Sequence, residues 1–418
     1  MHQAYKFRFY PTKQQITELN QIFGCGRYVY NWALIIKRDA FALDKTKINK
    51  FELSRSLTQL KKDPDKSWLT DVPATCLTQS IRDLDDAYQR FFAKQTGYPK
   101  FKKKSSIGSA RFQDVVTKSG QLKFPKIGKL KIKAHRDVPD ICINNRFIGT
   151  PKTATISRNA SNQYYVSFTV EINEPLLPIT DNIIGIDVGL KSFYTDSNNQ
   201  NVEASRLARR KKKAIARSQR ALARSEKNSK RREKKRLKLA KQHQKIKNQR
   251  TDQLHKLTTS IVKNNDIIVV EKLNIKGMIK NHKLAFSIAD ASWGIFFSQL
   301  RYKSTRYSRT YLEVDPKNTS RTCHVCGQLH NVSMTLDIRS WTCGFCETNH
   351  DRDHNAAINI KYRGMDLLSI PRGAGKSKDV DQCSHGLDDL DQSIKAHSNE
   401  ASIRVQSQAI TDDSVVVQ

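Results

Sequence analysis

The tetrapeptide Ile267-Ile268-Val269-Val270 leaves this chain little choice of environment. Four consecutive β-branched residues offer water no polar face, so a strand built from them is covered on both sides, as in a parallel sheet packed under helices. Glu271 then stands at the C-terminal end of a strand from which water is largely excluded. IIGIDVGLKSF, Ile183 to Phe193, repeats the pattern. An apolar strand runs to Ile186, Asp187 follows, a Val-Gly-Leu turn reverses the chain, and a second strand covers Phe193 to Asp196. Gly185 and Gly189 read as places where backbone closely approaches something bound. A third acid, Asp353, precedes the helix-forming stretch Asn355 to Tyr362 within HDRDHNAAINI, where it either caps the helix or projects toward the other two.

Three carboxylates in such contexts repel one another, and burial makes their ionised forms costly unless cations compensate. Hard oxygen ligands favour Mg2+ or Mn2+, and two such ions about 4 Å apart suit hydrolysis of a phosphodiester. Asp187, Glu271 and Asp353 are therefore the candidate catalytic and magnesium-binding residues.

The cysteines bear on a second metal. CHVCG and CGFCE place Cys323, Cys326, Cys343 and Cys346 as two C-x2-C pairs separated by sixteen residues, the spacing of a structural zinc ribbon. Two disulfides or a redox pair would use the same residues. The other cysteines, Cys25, Cys76, Cys142 and Cys383, are scattered, and no apolar leader precedes Tyr5, so the expectation is a reducing, cytoplasmic setting.

A net charge of +34 on 418 residues self-repels unless a polyanion is the usual partner, which points to nucleic acid. Residues 206–250 hold 21 Lys or Arg against two Glu, with few helix breakers, and read as extended helices with a basic surface. That surface lacks the apolar face of a membrane-bound helix, so no membrane partner is expected. Arg209, Lys212, Arg231 and Lys235 sample it as candidate phosphate contacts. GYPKFKKKSS offers four more, Lys100, Lys102, Lys103 and Lys104, interleaved with Tyr98 and Phe101. Nearer the N-terminus, Tyr5, Phe7 and Phe9 alternate as on a half-buried strand. Thr12 with Gln15 reads as a capping box opening a long helix, and Leu77, Ile81, Leu84, Tyr88, Phe91 and Phe92 form the apolar stripe of another.

In order and spacing, RFYPT, YVYNWAL, GYPKFKKK, GIDVGLKSF, VEKLNIKGM, TSRTCHVCG with WTCGFC, and HDRDHNAAINI resemble the TnpB proteins of insertion sequences, relatives of type V CRISPR effector nucleases. The resemblance spans Tyr5 to about Ile360. It implies a multi-domain α/β and α+β protein: a wedge-like β-barrel (1–10 and 100–180), a helical recognition domain (11–99), a split RuvC-like nuclease domain of RNase H-like fold (181–320 and 349–363) and an inserted zinc ribbon (321–348). The basic segment 206–250 falls in the nuclease domain, and residues 364–418, slightly acidic and Ser- and Gln-rich, read as a disordered tail. The family's three acids fall on Asp187, Glu271 and Asp353. Asp351 competes for the third place, but Asp353 directly precedes the x-N-A-A pattern of His354 to Ala357. The resemblance further implies a guide RNA from the element's own end, double-stranded target DNA with a short adjacent motif, Mg2+ or Mn2+ at the acids and one structural Zn2+. A guide-independent structure-selective nuclease, a strand transferase and a non-catalytic RNA- or DNA-binding regulator are the alternatives.

Overall fold

The computed structural model describes residues 2–104, 107–113, 115, 123–133, 153–171, 177–330 and 337–372; the greater part of the expected disordered tail, from residue 373, lies outside them. The chain divides into two compact units, Met1–Asn173 with Ser218–Gln244, and Glu174–Arg217 with Lys245–Gln418.

In the first unit, β1 (His2–Phe9) buries Tyr5, Phe7 and Phe9 as its alternation requires. Thr12 and Gln15 then form the expected reciprocal capping box of α1 (Lys13–Asp44). Asn49 and Glu52 open α2 (Lys50–Leu60) in the same manner. α3 (Ala74–Phe92) buries Leu77, Ile81, Leu84 and Tyr88 against α1, but the stripe stops there: Phe92, in the last helical position, is 73% exposed. β2 (Gly108–Gln113), β3 (Ile132–Lys133), β4 (Thr153–Arg158) and β5 (Tyr164–Glu171) join β1 in an antiparallel sheet of order β2-β4-β5-β1-β3. Among the described residues β2 and β3 are its edges, so the expected barrel is represented here by an open five-stranded sheet.

The second unit holds the mixed sheet that positions the acids. β6 (Ile183–Val188), β7 (Ser192–Asp196) and β8 (Asn201–Glu203) are antiparallel neighbours, whereas β9 (Ile267–Glu271) and β10 (Thr310–Val314) add to β6 in parallel, giving the order β10-β9-β6-β7-β8. The basic segment forms α4 (Leu207–Ala223) and α5 (Lys230–Asn264). Short α6 (Ile275–Met278) and α7 (Ala285–Ala291) lead to α8 (Trp293–Arg306). On one face of the sheet, Ile268 and Val270 share a core with Leu254, Ile261, Phe296 and Leu300. On the other, Ile267 and Val269 meet Val314 and Ile360. The β-branched run is thus covered on both faces, as its composition demanded.

Two boundaries shift. Ser218–Gln244, the tip of the α4–α5 pair, belongs to the first unit rather than the second. There Arg236 Nη1 donates to the Ala160 carbonyl at 3.1 Å, and Asn159 Nδ2 donates to Gln244 Oε1 at 3.1 Å. At the other end the last helix, α9, spans Arg352–Leu367, past the expected end at residue 363. Gly364 is the reason it stays packed: a Cβ there would stand 2.3 Å from Val269 Cγ2. Before α9, β11 (Ser340–Thr342) and β12 (Asn349–Asp351) form a two-stranded ribbon.

Candidate active site

Parallel pairing of β6 with β9 matches Ile183 to Ile267 and continues to Ile186 with Val270. The same offset sets Asp187 abreast of Glu271, on neighbouring strands about 4.8 Å apart and on one face of the sheet. α9 lies directly on β6 because Gly185 has no side chain. A Cβ at Gly185 would fall 2.1 Å from the Ala357 carbonyl oxygen and 2.6 Å from the Lys361 nitrogen. The close approach anticipated at this glycine is therefore to α9, not to a bound molecule. It brings Asp353, in the first turn of α9, to the two strand-end acids. Asp351 does the capping instead: its side chain accepts from the His354 N–H at 2.9 Å.

All three acids are partly open to solvent. Enough protein nonetheless surrounds the Asp187 carboxyl that burial, followed by the charges of Glu271 and Asp353, pushes it well above the usual carboxylate range. Arg352 and the Val188 N–H oppose that shift. Burial also raises Glu271, against the Thr319 hydroxyl, which donates to Glu271 Oε1 at 2.6 Å, and the positive charge of Arg363. Asp353 sits between two guanidinium groups, Arg339 Nη1 at 3.1 Å and Arg352 Nε at 3.7 Å. A cluster in which carboxyls resist ionisation, and cations are recruited to one member, is electrostatically short of positive charge. Divalent cations would correct that shortage, since the donors are the hard oxygens that Mg2+ and Mn2+ prefer.

The ribbon thiols converge as their spacing requires. The Sγ atoms of Cys323, Cys326, Cys343 and Cys346 all lie within 4.8 Å of one another, with Cys323–Cys346 and Cys326–Cys343 each at 3.6 Å. A tetrahedron with 2.3 Å Zn–S bonds has edges of about 3.8 Å, so zinc fits this cluster. Buried His350 stands behind it, Nε2 3.1 Å from Cys323 Sγ.

The candidate phosphate contacts do not form one group. All but Lys235 are exposed as residues, Lys102 included, though its ammonium end is tucked against the protein. Lys102 lays its ammonium 3.9 Å over the Tyr30 ring, and burial of that ammonium lowers its pKa. Lys212 stands 5.3 Å over Phe286, and the Arg209 backbone N–H donates to Asp290. Lys235 has a structural task, donating from Nζ to the Ala221 carbonyl at 3.0 Å near the end of α4.

Several positioning residues gave no spacing signal in the sequence. Asn355 Nδ2 donates to the Thr322 carbonyl at 2.8 Å, and Asn359 Nδ2 to the Thr319 carbonyl at 2.9 Å. Both asparagines are buried on the face of α9 that meets the first cysteine knuckle. Polar residues four apart on an otherwise apolar helical face were the one available hint. Thr319, Arg339, Arg352 and Arg363 have no comparable signature.

Three family models match the chain: "Probable transposase" over residues 167–282, "Cas12f1-like, TNB domain" over 293–360 and "Helix-turn-helix domain" over 1–46. A Streptomyces pristinaespiralis protein named "Putative RNA-guided DNA endonuclease" is 36% identical over 367 residues, 87% of this chain and 89% of its own length. This chain belongs to the TnpB family. Another relative, "Putative RNA-guided DNA endonuclease InsQ" of Escherichia coli (strain K12), is 29% identical over 88% of this chain and 93% of its own. A solved structure titled "Structure of the mini-RNA-guided endonuclease CRISPR-Cas_phi3" overlaps loosely, with 9% identity and a TM-score of 0.47 over 87% of this chain and 92% of that one. Within residues 1–46 the fold differs from the helix-turn-helix description of this TnpB segment: β1 is followed by a single continuous helix of 32 residues.

Proposed function

We propose that the chain is an RNA-guided DNA endonuclease of an insertion sequence, cutting target DNA beside a short motif by divalent-metal-dependent phosphodiester hydrolysis. The observation that carries this reading is the β6–β9 register, which sets Asp187 beside Glu271 while Gly185 admits the helix bearing Asp353. The names of the relatives supply the guide and the DNA.

Asp187, Glu271 and Asp353 hold Mg2+ or Mn2+ in this reading, and the ions supply charge neutralisation of the phosphodiester and activation of water. Thr319 fixes one oxygen of Glu271, Oε1, and leaves Oε2 outside that hydrogen bond. Arg339 and Arg352 balance Asp353 until cations share it. The four cysteines hold one structural zinc, which braces the ribbon from which β12 runs into α9.

The test uses protein with its co-purified RNA, Mg2+, and DNA carrying a guide-matched sequence beside a randomised motif. Wild type cuts. Asp187→Ala, Glu271→Ala and Asp353→Ala each lose about a thousandfold or more in rate with RNA and target binding retained, and a double variant is no worse, because the acids act as one site. Robust cutting by Asp187→Ala removes the metal assignment. Cutting that ignores target sequence and needs no RNA replaces the guided reading with a structure-selective nuclease, and joined strands in place of free ends indicate a transferase.

A further inference from the structure

Beside the hairpin that follows Asp187, the second unit contains a cavity of about 320 Å³ that the catalytic reading does not use. Leu190, Phe193, Leu254 and Leu257 are among its apolar walls, and Phe286, 45% exposed, stands at its mouth. Around these lie Arg206, Arg209, Arg250 and Lys256, with Glu203 and Asp290 as the acids.

Glu203 is exposed and opposes an anion, but the buried acid, Asp290, does so less than its charge suggests. Asp290 is 8% exposed, and its carboxylate accepts from the Ala208 and Arg209 backbone N–H groups, each at 3.0 Å, and from Arg250 Nη2 at 2.8 Å. Its charge is thereby committed to anchoring the start of α4 and to one arginine. Arg250 and Lys256 are engaged too, the latter with Asp252 at 2.8 Å. Arg206 makes only a long contact, 3.5 Å, to the Leu190 carbonyl, and the Arg209 guanidinium has no partner among the described residues. The cavity thus combines an apolar interior with two arginines in its lining that no carboxylate among the described residues engages.

An apolar slot with cationic groups at its edge matches a ligand that is flat and uncharged at one end and anionic at the other. We propose that it seats a single unstacked nucleotide of the bound nucleic acid, its base among Phe193, Leu254 and Leu257 and its phosphate at Arg206 and Arg209. The proposal rests on the nucleic-acid reading above. A purely apolar occupant would leave the arginines without a role, and a duplex is too wide for a cavity of this volume. Leu190 and Phe193 follow Asp187 by three and six positions, so the occupant braces the hairpin that begins at the first acid.

Full-length protein with its co-purified or resynthesised RNA and guide-matched DNA is assembled in two arms. 4-thiouridine is scanned through the RNA in one, and 4-thiothymidine through the DNA in the other. After irradiation, adducts are mapped by mass spectrometry. A nucleotide at one position is expected to link to the peptide bearing Phe286 or to that bearing Leu254 and Leu257, and the arm in which it does so identifies the strand. Leu257→Trp, which fills the cavity, lowers the adduct yield about tenfold, in line with loss of one base-stacking site. Volume-conserving Leu257→Met retains it and controls for folding. Absence of any cavity adduct in both arms while wild type still cuts overturns the proposal and leaves the nuclease reading intact, as does an undiminished yield in Leu257→Trp. A wild-type protein that forms the adduct yet never cuts overturns the nuclease reading and leaves the nucleotide site standing.

Discussion

Asp187 illustrates how much a single residue can disclose. A charged group after Ile183–Ile186 is costly to bury, and that cost is what made it a candidate ligand before any partner was visible. The partners of the other two acids, Thr319 on Glu271 and Arg339 on Asp353, were not legible, because a hydroxyl or guanidinium meeting a carboxylate from 48 or 14 positions away leaves no periodicity in the chain. The raised Asp187 pKa carries a stability consequence. A carboxyl whose folded pKa lies above its unfolded one stabilises the fold most while protonated, and that contribution is lost as pH rises through the folded pKa. At neutral pH without divalent metal the carboxyl is therefore a liability. Asp187→Asn should raise the metal-free Tm by about 2–4 °C, with the gap closing as pH falls and the wild-type carboxyl takes its proton. Mg2+ should then raise the wild-type Tm more than that of the variant. Equal Mg2+ shifts in the two proteins would mean that Asp187 holds no ion.

At the scale of elements, the strands were easier to read than their relations. β6 and β9 announce themselves by unbroken apolar runs, and the α1 capping box by its spacing. Their pairing depends on a parallel crossover of more than 70 residues, which no local pattern records. The context of each acid suggested the grouping and the family resemblance agreed with it, but Gly185 supplied a reason that composition could not: the glycine accommodates a helix about 170 residues onward. The same dependence runs through the ribbon. β11 pairs Ser340 with Asp351, the residue that caps α9, while Asn355 and Asn359 tie α9 to the carbonyls of Thr319 and Thr322 beside the first knuckle. Zinc, knuckle, cap and Asp353 form one mechanical series. Cys343→Ser removes a thiolate, so zinc content should fall from near one per chain, and cutting should fall with it although no acid is touched. Wild-type protein purified without zinc yet fully active would break the series at its first link.

For the whole molecule the governing quantity is charge. An excess of 34 positive charges is tolerable when a polyanion is the usual partner, and 206–250 carries over half of it on two helices whose exposed faces stay basic along their length. The sequence identified that reservoir but could not sort its members. Arg210, Lys213, Arg217 and Arg220 are exposed on α4, whereas Lys235 is engaged with the end of the same helix. These two kinds of lysine and arginine should respond oppositely in one titration. A phosphate that a side chain no longer neutralises keeps its condensed counterions, which lowers the log–log slope by about 0.9 for duplex DNA and about 0.7 for a single strand. Reversing the four α4 charges should therefore flatten the plot of log affinity against log salt by up to about 3.6 on duplex DNA or about 2.8 on a single strand, in proportion to how many of them meet phosphates. Lys235→Ala should leave the slope within about one such increment of wild type and instead lower stability by about 0.5–1.5 kcal/mol, the usual net worth of a hydrogen bond. Nucleic-acid binding by fluorescence anisotropy across a salt series, beside thermal denaturation of the same variants, separates the two. An unchanged slope after four reversals would reduce the basic helices to solvated charge, and the polyanion would then have to be held elsewhere on the molecule.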